Sequence, residues 1–273
     1  MSLINFFAFL FLAFALLAPW LSKKPLLWGF FLVLALILGE VGGILTPVAL
    51  FVAAAWAILW VIYTHHKRSL LNTLLFSLIV ILSFGFKFQL FPGFHPFFLT
   101  PKFSIGFMTP LLGLFSLALF VPLARSLKEW GHVFTGLIWG VLGIIALAFI
   151  ASATGAVHWQ YKLPSFFFPR TLNNFIFISI PEEAFYRGFL QHELAHYLSH
   201  KKGGGWLALF FTSLIFTLAH IYWSPTLPIL AFVFLASLLY GWVYMKSGKI
   251  ESAILCHFLL NCVHMTFFSY HAL

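Results

Sequence analysis

Long apolar runs recur along the whole chain, and they constrain its fold more than any other feature. A helix needs about 20 apolar residues to cross a bilayer core of about 30 Å. Hydrophobic residues make up 62% of the 273 residues and charged residues only 8%, against about 25% charged in soluble domains. The sequence therefore predicts an all-α, polytopic transmembrane helical bundle with the lipid bilayer as its solvent. The runs predict about nine to ten spans, at 3–21, 26–45, 48–63, 69–91, 107–123, 133–155, 171–198, 206–223, 227–245 and 251–270.

The net charge of +9 follows membrane topology rather than nucleic-acid binding. Lys and Arg lie in short clusters between apolar runs, and no basic stripe with interleaved aromatics predicts a nucleic-acid partner. We expect a multi-pass protein of the cell (inner) membrane. With the N-terminus outside, the odd-numbered loops face the cytoplasm and hold most of the basic residues, as the positive-inside rule requires. The cytoplasmic loops then hold Lys23, Lys24, Lys67, Arg68, Arg125, Lys128, Lys201, Lys202, Lys246 and Lys249. The opposite side holds Lys87, Lys102, Lys162 and Arg170.

Two adjacent carboxylates are the most unusual chemical feature of the chain. Only six acidic residues occur, all of them Glu, and Glu182 and Glu183 stand together inside an apolar run. Ionisable groups within a membrane are costly and occur mainly where they are paired or used. Glu183 and Arg187 share a helix face at i,i+4 and are expected to form an ion pair. Glu182 is offset by about 100°, which predicts a reactive carboxylate; the alternative is a packing network of all three.

Two later spans add polar groups of complementary kinds. Phe216 and His220 are four residues apart, and so are His257 and Asn261. Each pair alone is typical of interhelical packing. Together with a carboxylate, one histidine can activate water, and a histidine with an amide can stabilise an oxyanion. The predicted topology places the two histidines towards opposite ends of their spans, so their meeting requires helix tilt or shifted boundaries.

The order Glu-Glu-x-x-x-Arg, Phe-x-x-x-His, His-x-x-x-Asn resembles the CPBP intramembrane proteases. These include CAAX prenyl endopeptidases and relatives linked to bacteriocin processing and immunity, and the resemblance covers roughly 166–270. It implies a scaffold at 1–165 and a protease core at 166–273, in the last four spans. The implied substrate is a membrane-anchored protein or peptide, prenylated in part of the family.

The resemblance also implies a role for each matching residue. Glu182 is the expected general base, supported by Glu183 and Arg187. His220 is expected to hold or activate the water, while His257 and Asn261 are expected to bind the oxyanion. These six are the predicted catalytic residues.

Metal dependence stays open at the level of sequence. Members of the family have been described both as metalloenzymes and as glutamate proteases, so the expected cofactor is either none or one zinc ion, and the metal-free mechanism is favoured. Glu182, His220 and His257 are residue types that can ligate zinc. A second set, His192 and His196, belongs to an HExxH pattern. We expect that pattern less, because it lies at a span end without a nearby acidic third ligand.

Two other functions remain compatible with the residues. A transporter could use the same intramembrane ionisable groups, although the two related halves typical of transporters are not evident. A catalytically inert immunity or scaffold protein could share the fold, although every expected catalytic position is filled.

Overall fold

The computed structural model describes residues 2–65, 70–101, 103–222 and 226–269. The described residues are 76% helical, which confirms the predicted all-α class. The span ends at 69, 223 and 270, and the loop charges Lys67, Arg68 and Lys102, lie outside the described residues.

Each predicted apolar run overlaps one helix in the described part of the chain. The first five are α1 Leu3–Leu21, α2 Pro25–Val41, α3 Pro47–His65, α4 Leu70–Lys87 and α5 Met108–Leu119. Next comes α6, Leu127–Ala153. Helix α7 is continuous over 167–197 and comprises Phe167–Asn173, Asn174–Ser179, Ile180–Glu183, Ala184–Gln191 and His192–Tyr197. The last three are α8 Gly204–Leu218, α9 Leu227–Ser247 and α10 Ile250–Phe267.

Fewer helices are long enough to cross the membrane than there are predicted apolar runs. Within the described ranges, six helices are long and apolar enough to cross a bilayer, namely α1, α3, α4, α6, α9 and α10. Helices α2, α5 and α8 are apolar but shorter. The chain is therefore an integral, polytopic helical membrane protein, and the count of nine to ten stays a prediction.

The chain divides into two compact units, which share α7. The N-terminal unit comprises Met1–Val121 and Ile176–Phe185. The C-terminal unit comprises Pro122–Phe175 and Tyr186–Leu273. The functional division at 165/166 is a different kind of boundary and stays a prediction.

Helix α5 lies at the core of the N-terminal unit. Its residues Leu111, Leu112 and Leu114 are fully buried, and the indole Nε1 of Trp56 donates to the Leu111 carbonyl at 3.0 Å. A short antiparallel hairpin joins α4 to α5, with strands β1 Phe97–Thr100 and β2 Phe103–Ile105. A helix surrounded on all sides by protein needs no lipid-facing length, which accounts for its shortness.

Small residues bring the helices of the C-terminal unit together. A Cβ at Gly136 would lie 2.8 Å from the Ser252 hydroxyl oxygen, and one at Gly140 would lie 2.9 Å from the Cys256 sulfur. Close backbone approach at small residues is typical of helix packing in membranes. Strands β3 His158–Trp159 and β4 Phe268–Ser269 pair antiparallel at one end of this unit.

Candidate active site

Helix α7 changes its geometry around the two carboxylates. One α-helical turn, Ile180–Glu183, is flanked by the wider π-helical segments Asn174–Ser179 and Ala184–Gln191. Pro181 lies in this turn and has no N–H to donate to the preceding turn. Every residue of 180–191 is buried. Single π-helical turns within α-helices are frequent at functional sites, and here they enclose the predicted reactive pair.

The Glu182 carboxylate forms a buried ion pair with Lys87 in the N-terminal unit. The Lys87 ammonium donates to Glu182 Oε1, and the two side chains are only 8% and 2% exposed. Lys87 is the last residue of α4. The sequence places Lys87 inside the predicted span 69–91 and counts its charge with the adjoining outer loop; the side of the membrane stays a prediction. No sequence motif marked this lysine as a partner of Glu182.

Helix α5 holds the turn that bears the carboxylates. Gly113 approaches the Pro181 backbone so closely that an added Cβ would overlap the carbonyl oxygen, the carbonyl carbon and Cα of Pro181. Glu183, two residues further on, is fully buried. The position of the Glu182–Glu183 turn is therefore set by backbone contact rather than by flexible side chains.

In the C-terminal unit, Arg187 and Gln191 connect α7 to α9. One guanidinium nitrogen of Arg187, Nη2, donates to the carbonyl and the hydroxyl of Ser237, both at 3.0 Å. One turn later, Gln191 Nε2 donates to the Gly241 carbonyl at 3.2 Å. Arg187 is fully buried, so it clamps two helices together. The ion pair expected between Glu183 and Arg187 stays a prediction.

The Phe216 ring brings the two predicted histidines to one aromatic cluster. His220 stacks on Phe216 with ring centroids 4.4 Å apart, and His257 meets the same ring edge-on at 6.1 Å. Tyr240 stacks on His257 at 4.6 Å. His220 lies just beyond the end of α8, where the chain turns, whereas His257 lies within α10. Both histidines therefore contact the same ring, although the predicted topology separated them along their spans.

A local hydrogen bond determines which nitrogen of His220 carries the proton. The Nδ1 atom is 2.7 Å from the carbonyl oxygen of Phe216. Because a carbonyl can only accept, Nδ1 donates this bond. In the neutral ring, Nε2 then has the lone pair that can accept a hydrogen bond from water. The four-residue spacing of Phe216 and His220 thus has a structural reason.

Asn261 is oriented by a second asparagine that sequence reasoning missed. Asn261 Nδ2 donates to Asn174 Oδ1 at 2.9 Å. Asn174 in turn donates to the Phe258 carbonyl at 3.3 Å. Asn174 begins the first π-helical segment of α7 and is 7% exposed. No motif marks Asn174, because its role depends on a residue far away along the chain.

Neither predicted zinc ligand set is supported. In the part of the chain that the structure describes, no three His, Cys or Glu side chains are grouped for metal binding. His192 and His196 of the HExxH pattern are exposed on the last α-helical segment of α7. Metal dependence therefore stays a prediction that no cluster among the described residues supports.

The predicted catalytic residues are distributed over both compact units. Glu182 and Glu183 belong to the N-terminal unit. The C-terminal unit contributes Arg187, His220, His257 and Asn261.

The described residues thus place a buried carboxylate, two histidines in one aromatic cluster and an oriented amide in a helical integral membrane protein. Residues 164–263 match the family described as type II CAAX prenyl endopeptidase Rce1-like. The family implies CAAX-type intramembrane protease activity on membrane-anchored substrates. No curated protein and no solved structure matches the chain.

Proposed function

We propose that the protein is a glutamate-type intramembrane endopeptidase. It hydrolyses a peptide bond in a membrane-anchored protein or peptide, with a prenylated C-terminal peptide as the first substrate to test. The observation that supports this most is Glu182, a carboxylate only 2% exposed and ion-paired with Lys87, within a matched protease domain. A buried carboxylate held beside a positive charge stays ionised and can accept a proton.

Glu182 takes a proton from water as the water oxygen attacks the peptide carbonyl carbon. A tetrahedral intermediate forms, with the negative charge on the former carbonyl oxygen. The proton on Glu182 then passes to the amide nitrogen as the carbon–nitrogen bond breaks. The products are a carboxylic acid and an amine, and a proton then passes from the acid to the amine to give a carboxylate and an ammonium group. Glu182 returns to its ionised form.

The remaining groups stabilise the water and the oxyanion. His220 accepts a hydrogen bond from the water at Nε2, since its Nδ1 donates to Phe216. His257 and Asn261 donate to the developing oxyanion, and removal of one such donor typically costs about 10²–10³ in rate. Arg187 binds α9 through Ser237 and keeps the C-terminal groups of α7 in place.

The test compares two carboxylates of the same helix. Purified wild type, Glu182→Gln and the matched control Glu193→Gln are assayed on a prenylated and an unprenylated membrane-anchored peptide, with and without a chelator. We expect cleavage to fall about 10²–10⁴-fold in Glu182→Gln alone and to be insensitive to the chelator. Loss only in Glu193→Gln would transfer the reaction to the HExxH segment. Substrate transport by a wild type that cleaves neither peptide would refute the proposal.

A further inference from the structure

The N-terminal unit contributes a charged group directly to the proposed base. We propose that Lys87 is a positioning residue for Glu182, which fixes its carboxylate oxygen Oε1 and keeps the group ionised. The inference rests on the proposed function of Glu182. Lys87 lies outside the matched domain at 164–263, so nothing in the domain motifs predicts this role.

The backbone at the end of α4 determines where the Lys87 side chain begins. Gln89, two residues later, has a left-handed conformation with φ of 56°, and the Leu90 N–H donates back to the Gly85 carbonyl at 2.9 Å. These features end the helix directly after Lys87. A non-glycine residue in this conformation is uncommon, so the chain terminates α4 here at some conformational cost.

Aromatic packing fixes the same helix end from the side. The Phe86 ring is 1% exposed and lies 4.6 Å from Phe91 and 4.8 Å from Trp56, measured between centroids. A Cβ at Gly85 would lie 2.8 Å from the Phe91 ring, so the ring folds back over a residue without a side chain. The residue next to Lys87 is thus immobilised, which suits a lysine that must hold one oxygen in place.

The energetics of a buried ion pair favour a role beyond packing. The free energy needed to remove two charges from water is about equal to, or larger than, the free energy gained from their attraction. Well-packed apolar side chains of similar volume would serve stability as well. An ion pair at the one carboxylate proposed as general base is therefore best explained by what the charge does to that carboxylate.

The contact acts on one defined oxygen of Glu182. Oε1 accepts from the Lys87 ammonium, which holds this oxygen beside a positive charge. The ammonium opposes protonation of the carboxylate before the water binds, because a nearby positive charge stabilises the ionised form. It also holds the oxygens at a fixed angle, and a misplacement of about 1 Å can cost about 100-fold in rate.

The first arm of the test needs no substrate. Thermal unfolding in detergent is measured for Lys87→Met, Glu182→Gln and the double variant. We expect the double variant to lose less stability than the sum of the two single losses. Each single substitution leaves the other charge of the pair buried without its partner, whereas the double variant removes both charges. Additive losses would show that the two side chains do not interact and would overturn the proposal.

The second arm measures kcat and KM on the membrane-anchored peptide, per folded protein after size-exclusion chromatography. We expect kcat of Lys87→Met to fall about 100-fold with KM unchanged, and Lys87→Arg to recover most of the loss because it restores the charge. The matched control is Lys249→Met. It removes a second Lys–Glu ion pair, with Glu129 at 2.5 Å, and should lower stability without lowering kcat.

The two proposals fail in distinguishable ways. Wild-type cleavage by Glu182→Gln would refute the proposed function, and the role of Lys87 with it. Loss of cleavage in Glu182→Gln together with wild-type kcat in Lys87→Met would overturn only the role of Lys87. The same conclusion would follow if Lys249→Met lowered kcat as much as Lys87→Met, or if Lys87→Arg gave no rescue.

Discussion

Gly113→Ala should disable the enzyme by displacing the turn that bears Glu182. The new methyl group would lie closer than 3.0 Å to three backbone atoms of Pro181, whereas ordinary contact begins at 3.4 Å. Backbone atoms cannot rotate away as the tip of a side chain can. Helix α5 and the Pro181 turn must therefore separate, and Glu182 moves with the turn away from its position.

The size of the effect follows from two opposing contributions. Overpacking in a dense core costs about 1–3 kcal/mol, while Ala is favoured over Gly in a helix by about 1 kcal/mol. Because the overlapping atoms are backbone, we expect the upper end of the cost and a net loss of about 2 kcal/mol in the free energy of unfolding. A displacement of about 1 Å at the proposed general base should lower kcat about 100-fold.

The assay combines peptide cleavage with thermal unfolding in detergent. The matched control is Gly131→Ala, which makes the same substitution in α6 at a position with nothing within 4 Å of the new Cβ. The control should keep wild-type kcat and gain about 1 kcal/mol in stability. Wild-type kcat and stability in Gly113→Ala would refute the claim that α5 sets the position of the carboxylates.

Further substitutions test the C-terminal unit. Asn174→Leu should lower kcat about tenfold by removing the acceptor that orients the Asn261 amide, whereas Asn174→Asp keeps that acceptor and most of the cleavage activity; equal rates would contradict the role. Gly241→Ala should lower the free energy of unfolding by about 1–2 kcal/mol, because its methyl group would lie 2.5 Å from Gln191 Oε1; unchanged thermal unfolding would exclude this contact. His196→Ala should cleave at the wild-type rate, since this histidine is exposed; loss of cleavage there would revive the HExxH site.

The sequence predicts those features that depend on local composition or regular spacing. The helical membrane class follows from apolar runs, because hydrophobicity is a property of each segment alone. The burial of Glu182 and Glu183 follows from their position inside such a run. The Phe216–His220 contact agrees with their four-residue spacing, although α8 ends at Leu218 and His220 lies in the turn beyond it.

Other features depend on partners that no spacing rule connects. Lys87 and Glu182 are 95 residues apart, and Asn174 and Asn261 are 87 apart. The π-helical segments of α7 arise where Pro181 interrupts the backbone ladder and α5 packs closely. Hydrophobic patterns predict neither of these conditions.

The predicted span boundaries differ from the observed helix ends for a similar reason. The run at 107–123 predicts a short span that reaches residue 123, yet α5 ends at Leu119, shortly before Pro122. A proline disfavours helical backbone in the residue before it. Apolar composition continues beyond this point, so hydropathy alone cannot locate the helix end.

The ion pair between Lys87 and Glu182 also imposes an order on biogenesis. Lys87 leaves the ribosome 95 residues before its partner, so α4 enters the bilayer with its charge uncompensated. Its place at the end of the helix lets the long side chain extend to the headgroups during this interval. The Glu182 side chain is short and lies in the middle of α7, so its carboxylate cannot reach the headgroups in the same way. The Lys87 ammonium is thus already present when α7 is inserted, and it lowers the free-energy cost of placing the Glu182 carboxylate in lipid.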